Sequence, residues 1–144
     1  MAQAVFEHAE NSDIIIKAAA VSDYRPAAAA DHKIKKLDDE IVITLEKNKD
    51  ILKELGNDKN GRVLVGFAAE TQALDKNAEK KLKEKNLDII AGNIVGQPDT
   101  GFDADTNSIS LFYKDGTKET LPLMEKDAVA HVLLDRVADR SIEV

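Results

Sequence analysis

The apolar positions change period several times along the chain, and each change marks an element. Ala2, Val5, Phe6 and Ala9 recur at helical spacing, so Ala2 to Glu10 is expected to form a helix. Asn11-Ser12-Asp13 breaks that pattern. Ile14 to Val21 follows as a short apolar run, the mark of a strand buried on both faces. Ser22 to Asp31 reads as a loop with Pro26 and an alanine tract. From Glu40 to Glu46 the pattern alternates, with Ile41, Ile43 and Leu45 on one side and Val42, Thr44 and Glu46 on the other. That is a strand with one wetter face.

Asp50 to Leu55 predicts a short helix with Gly56 as its C-cap, and Asn57 to Arg62 a turn. Val63 to Ala69 and Leu87 to Asn93 are two further apolar runs with strand character, and Glu70 to Asn86 between them has the pattern of a helix. Gly92, Gly96, Pro98 and Gly101 punctuate a long loop. Ser108 to Tyr113, expected as an edge strand, and Lys118 to Pro122 flank Lys114-Asp115-Gly116-Thr117. The Asp-Gly pair there suits a type I′ hairpin turn. Asp127 to Val137 closes the chain with a helix, apolar at Val129, Val132, Leu133 and Val137. Strands alternating with helices and ending in a hairpin imply an α/β fold: a Rossmann-like three-layer sandwich whose sheet is mostly parallel with an antiparallel hairpin near the C-terminus.

Length and composition narrow the function. At 144 residues the chain suits a single domain, and its helix opening at the first residue without a cap leads us to expect further chain upstream. Lys and Arg number 20 against 27 Asp and Glu, a formal charge of −7, which argues against a nucleic-acid partner. A small anionic ligand stays possible, because a few lysines can gather locally. With no cysteine there are no disulfides, thiolate nucleophiles or cysteine zinc sites, in keeping with a reducing cytoplasm. No run approaches the ~18 apolar residues of a membrane helix, and Met1 to Glu10 lacks the pattern of a signal peptide. Aromatics make up 4% of the chain, so an aromatic beside a loop stands out.

In such sheets ligands bind beyond the carboxyl ends of the strands. Small residues crowd three of these ends: Ala18, Ala19 and Ala20; Gly66, Ala68 and Ala69; Ala91 and Gly92. Tight helix–sheet packing accounts for any one of them, and a shared ligand site for all three. Neither common phosphate loop motif occurs. In the helix after Glu70, with Leu74 set at zero and ~100° per residue, Ala78 and Leu82 fall near ~40° and ~80°, and Lys81 and Lys85 near ~340° and ~20°. Lys76, Lys80 and Lys83 lie on the opposite, wet face. Lys81 and Lys85 therefore either snorkel from the packed stripe or bind an anion. Asp23 is a loop residue or a hydrogen-bond acceptor for a sugar or base. Lys33 to Lys36 reads as a charged loop whose Ile34 interruption turns one lysine away from its neighbours. Phe67 is a core residue or a stacking surface. His8, His32 and His131 are scattered, so no histidine metal site is expected, and no serine sits in a nucleophile elbow.

Taken in order, Ala18-Ala19-Ala20-Val21-Ser22-Asp23-Tyr24-Arg25-Pro26, Lys33-Ile34-Lys35-Lys36, Gly66-Phe67-Ala68-Ala69-Glu70-Thr71 and Lys85-Asn86-Leu87-Asp88 resemble the bacterial phosphopantothenate–cysteine ligases, also called phosphopantothenoylcysteine synthetases. In many bacteria such a ligase is the C-terminal half of a bifunctional coenzyme A biosynthesis flavoprotein. The resemblance runs through Gly101-Phe102 and Asn107 to the last helix.

It implies a cytoplasmic, magnesium-dependent ligase that joins 4'-phosphopantothenate to cysteine at the expense of CTP, through an acyl-cytidylate, with CMP and pyrophosphate released. Carried over by motif, CTP contacts fall on Ala19, Asp23, Lys33, Lys49, Asp50, Ile51, Leu52, Phe67, Lys81 and Lys85. The phosphopantothenate contact falls on Ala20, and Lys33 is the cation that assists the transition state. No protein metal ligand is implied. The Asp50 helix start would offer backbone N–H groups to an anion. Lys49 stands where the family commonly has proline. The family's Gly-rich first strand–helix turn and its Asn near the acyl intermediate find no counterpart, so residues 1–144 are expected to be a CTP-binding ligase domain truncated at its N-terminus. FMN is not expected in this part. A homodimer is, through the Glu40 to Glu46 strand and the Lys33 to Lys36 loop. The alternative is a non-catalytic nucleotide-binding or dimerisation module.

Overall fold

The computed structural model describes residues 1–33, 41–94 and 104–141. They fall into two compact units, residues 19–50 and the rest of the described chain. The larger unit contains α1 (Ala2–Ala9) and β1 (Ile14–Lys17). The smaller holds β2 (Tyr24–Pro26) and β3 (Leu45–Lys47). The larger resumes with α2 (Ile51–Asn57), β4 (Val63–Glu70), α3 (Leu74–Glu84), β5 (Ile89–Ile94), β6 (Thr106–Asn107), β7 (Ser110–Tyr113), β8 (Lys118–Thr120), β9 (Met124–Glu125) and α4 (Lys126–Ser141).

Five strands form the main sheet in the order β1-β4-β5-β7-β8. β1, β4 and β5 run parallel, with Ile16 opposite Val65 and Ala68 opposite Gly92. β7 is antiparallel to β5, and β8 to β7. The central strands are aliphatic because helices cover both faces, as a parallel sheet requires. On one face Val63, Val65, Ile89, Ala91, Leu111 and Tyr113 pack with Val129, Leu133 and Val137 of α4. Each such aliphatic side chain withdrawn from water contributes about 1.5–3 kcal/mol. On the other face glycine lets the helices close in. A Cβ on Gly66 would lie 2.7 Å from a methyl of Leu52, and one on Gly92 2.7 Å from a methyl of Leu74. Helices, sheet and helix give the expected three-layer α/β sandwich.

Several boundaries differ from the sequence reading. The run Ile14 to Val21 is a strand only as far as Lys17. It ends the sheet order, and Ile14 is 40% exposed, so β1 is not buried on both faces. Of the described part of the Glu40 to Glu46 stretch, residues 41–46, Leu45 and Glu46 lie in a strand, and residues 41–47 are exposed on both sides. β7 is an interior strand between β5 and β8. The long helix begins at Leu74, because β4 continues through Glu70 and Ala73 turns the chain at φ 53°. Gly56 lies inside α2 and has no left-handed φ, so it is not a cap. Its Cβ would collide with the Lys85 carbonyl, so close packing excludes a side chain there. The hairpin turn is not type I′, since Gly116 has φ +89° and Asp115 has no positive φ. Gly116 N–H donates to Tyr113 O, and Asp115 accepts from the Thr117 N–H and hydroxyl, which makes a three-residue loop ending in a left-handed glycine. Residues 95–103, most of the expected glycine loop, and residues 34–40, including Ile34-Lys35-Lys36, lie outside the described residues.

Candidate functional site

The carboxyl end of β4 gathers several of the sequence candidates. Strand alternation sends Val63, Val65 and Phe67 to the α4 face and Leu64, Gly66, Ala68 and Glu70 to the α2–α3 face. Phe67 is 42% exposed between two buried small residues, whereas Val63 and Val65 below it are in the core. An aromatic ring left in water between two small residues suits a ligand face better than a packing role.

On the other face the chain leaves β4 at Glu70, turns through Ala73 and enters α3. That path brings Glu70 within reach of Asn77 and Lys81 on the helix. Its carboxylate accepts a hydrogen bond from Lys81 Nζ at 2.6 Å and another from Asn77 Nδ2 at 2.9 Å. The Lys81 hydrogen bond holds the Glu70 carboxyl below its ordinary value against burial, with Asn77 adding to the effect. The carboxylate is largely covered, while the Lys81 side chain keeps 40% of its exposure. An ammonium has three donors, so Lys81 can meet Glu70 and still present N–H groups outward. Helical phase is as expected: Leu74, Ala78 and Leu82 are buried, Lys81 and Lys85 half-buried, and Lys76, Lys80 and Lys83 exposed.

Lys85 ends α3. Its backbone N–H donates to Lys81 O, and its carbonyl lies against Gly56. Asn86 follows with φ 50° and donates its side-chain amide to Gly56 O at 2.9 Å. Lys81, Lys85 and Phe67 thus belong to one unit but not to one face: Phe67 is on the α4 side of β4, and α3 packs on the other. The Lys81 ammonium reaches the carboxyl end of β4 through Glu70, near Phe67, whereas Lys85 stands at the far end of α3, beside Gly56 and the turn that leads into β5. Ile51 and Leu52 are 3% and 6% exposed, so only their main chain can meet a ligand.

In the smaller unit the Asp23 carbonyl accepts from Asn48 N–H at 2.7 Å, and the Asn48 side chain donates to Ser22 O at 2.8 Å. These bonds fix the loop, while the Asp23 side chain, Ala19, Ala20, Lys33 and Lys49 are exposed and Asp50 is half-buried. The sequence reading passed over Glu70 and Asn77 as partners of Lys81. Their signal is a spacing: Glu70 at a strand end, then Asn77 and Lys81 one turn apart on the inner side of the next helix. Asp88 is a structural carboxylate at the start of β5, accepting from Leu64 N–H at 2.7 Å and from the Lys59 ammonium. Among the described residues no group of three or more His, Cys, Asp or Glu could hold a metal ion. Among them, too, no helix is long and apolar enough to cross a membrane.

Residues 1–140 match the family described as DNA/pantothenate metabolism flavoprotein C-terminal domain. The chain is 48% identical over 138 residues to the coenzyme A biosynthesis bifunctional protein CoaBC of Bacillus subtilis, covering 96% of this chain and 34% of that protein. It therefore spans about a third of the length of that relative. The crystal structure of the C-terminal domain of a coenzyme A biosynthesis bifunctional protein CoaBC superposes with a TM-score of 0.80 at 38% identity, over 99% of this chain and 62% of that one. A Cab2 mutant in complex with phosphopantothenate-cysteine shares the fold, with a TM-score of 0.76 at 19% identity over 96% of this chain and 48% of that one.

Proposed function

This chain belongs to the DNA/pantothenate metabolism flavoprotein C-terminal domain family, and from that premise we propose that it serves the ligase reaction of coenzyme A biosynthesis that joins 4'-phosphopantothenate to cysteine, with CTP as co-substrate. The observation that carries this reading is Lys81. It is a cation on the packed stripe of α3, held at the carboxyl end of β4, in a chain 48% identical to a coenzyme A biosynthesis protein.

In this reading the phosphopantothenate carboxylate attacks the α-phosphorus of CTP, and pyrophosphate leaves. The cysteine amine then attacks the acyl carbon, CMP leaves with the carboxylate oxygen, and the amine proton is released to solvent. Lys81 and Lys85 bind the nucleotide as cations, and Phe67 covers it from the other face of the sheet's end. Asp23 accepts hydrogen bonds from it, and Ala19, Lys49, Asp50, Ile51 and Leu52 meet it through the backbone or short side chains. Ala20 contacts phosphopantothenate. Lys33 stabilises the charge that builds on the transferring phosphorus, where a preorganised cation acts most strongly. Magnesium finds no ready-made ligand group among the described residues and is assigned no step. It is the usual companion of nucleotide phosphates. FMN has no part in this reaction.

Two copies associate, in the same reading, through the Glu40 to Glu46 stretch and the Lys33 to Lys36 loop. Ile41, Val42, Ile43 and Leu45 are 61%, 91%, 63% and 55% exposed, an apolar stretch that association would cover. Light scattering on the purified chain tests this: a monomer at micromolar concentration rejects the dimer.

The reaction is tested by pyrophosphate release with CTP, phosphopantothenate and cysteine, alongside the thermal shift that CTP induces. Pyrophosphate released in step with phosphopantothenoylcysteine supports the ligase. A CTP-induced shift without pyrophosphate leaves a nucleotide-binding module, and no shift removes both.

A further inference from the structure

We propose that Glu70 is a positioning residue for Lys81: its carboxylate, fixed by Asn77, holds the lysine ammonium where an anionic ligand at the carboxyl end of β4 meets it. The proposal rests on the reading of Lys81 as a CTP contact.

Glu70 is the last residue of β4 and Lys81 lies in the third turn of α3, so the pair bridges the strand end to the helix across the turn at Ala73. Asn77 stands one helical turn before Lys81 and bonds the other carboxylate oxygen. The two bonds fix the carboxylate in its plane, and the carboxylate in turn fixes the ammonium. A lysine carries its charge on a flexible stem of four carbons. Left to solvent, it would lose that freedom on binding an anion, and affinity would fall accordingly. Bound to Glu70, it has already lost it.

Exposure separates holding from sequestering. The Glu70 side chain is 16% exposed and Lys81 40%. The carboxylate is spent on Lys81 and Asn77, whereas the ammonium keeps an open side. A carboxylate meant only to neutralise the lysine would cover it. The pair also explains how Lys81 can stand on the packed stripe while α3 remains docked on the sheet.

The test is a double-mutant cycle in the full chain, with CTP affinity read by calorimetry and folding read by thermal melting. Glu70→Gln keeps the shape and removes the charge. It is expected to weaken CTP binding roughly three- to tenfold, in the lower part of the range of a direct pairwise coupling. In a Lys81→Gln background the same change is expected to have no further effect, because the side chain it positions is gone. Glu70→Asp, which keeps the charge on a shorter arm, is expected to recover part of the affinity. Wild-type affinity in Glu70→Gln overturns the proposal. So does tighter binding, which would make Glu70 a competitor of the ligand, and so does an equal loss in both backgrounds, which would make its role structural. Failure of the wild-type chain to bind CTP is a different result: it overturns the reading of the site, and this proposal with it.

Discussion

Asn86 donates its side-chain amide to the carbonyl of Gly56 at 2.9 Å, and the carbonyl of Lys85, just before it, lies where a Cβ on Gly56 would be. The end of α3 is thereby locked to α2 through two backbone groups, and Lys85 is positioned by the lock.

Gly56→Ala is expected to destabilise the fold by about 1–3 kcal/mol, the range for overpacking a close contact. Helix propensity alone favours alanine by up to ~1 kcal/mol. The clash is with main chain, which cannot swing aside as a side-chain tip can. Urea denaturation decides between the two effects. A more stable variant would show that α2 and the Lys85 turn separate easily.

Asn86→Ala removes the bond to Gly56 and leaves a Cβ at φ 50° without the local hydrogen bonding that lets asparagine adopt it. A loss of about 1–3 kcal/mol is expected. Asn86→Gly loses the bond but tolerates the backbone, so it should be the milder change by about 1 kcal/mol. The same melts check both, and equal losses would mean that the backbone conformation contributes nothing.

Lys81→Gln is expected to weaken CTP binding about tenfold, or ~1.4 kcal/mol, whereas Lys80→Gln leaves it unchanged. Lys80 points to solvent and, among the described residues, pairs with Glu84 at 3.8 Å, in a class of surface contact worth little. Calorimetric titration of both variants reads the difference. Equal effects would remove the argument from helical phase.

Stability should fall at both ends of the pH range. Tyr113 is pushed up to about 12 by burial and then by its hydrogen bond to Glu119. The folded protein therefore holds that proton more tightly than the unfolded chain. The stability this contributes is complete below the ordinary tyrosine value near ~10 and is lost as pH rises from there through about 12. At the acid end, Arg136 lowers Glu119 and Lys81 lowers Glu70. Their contributions are present above the ordinary carboxylate range and are lost as pH falls below it. Urea midpoints measured between neutrality and strong alkali should decline, and Tyr113→Phe should flatten that decline while leaving the acid limb in place. An unchanged alkaline limb would assign the titration to another group.

Much of the architecture could be read from the residues. Val63 to Ala69 and Leu87 to Asn93 are aliphatic runs bounded by polar turns, and they supply two of the three interior strands, β4 and β5, because an interior strand covered on both faces favours aliphatic residues. The phase of Leu74, Ala78 and Leu82 placed the lysines of α3 correctly, since helical geometry is local. The role of Gly56 was not legible. A glycine after a short helix looks the same whether it relaxes a φ or admits a neighbouring carbonyl, and that carbonyl comes from Lys85, far along the chain.

The sequence by itself therefore determined the α/β order, the aliphatic sheet and which lysines of α3 face inward, because each follows from periods of two or 3.6 residues. Only the tertiary structure decided where β1 stops, that β7 is interior and that Glu70 and Asn77 hold Lys81. It also decided that Phe67 stands on the opposite face of the sheet. Those facts depend on which segments become neighbours after folding, and no local period carries that information.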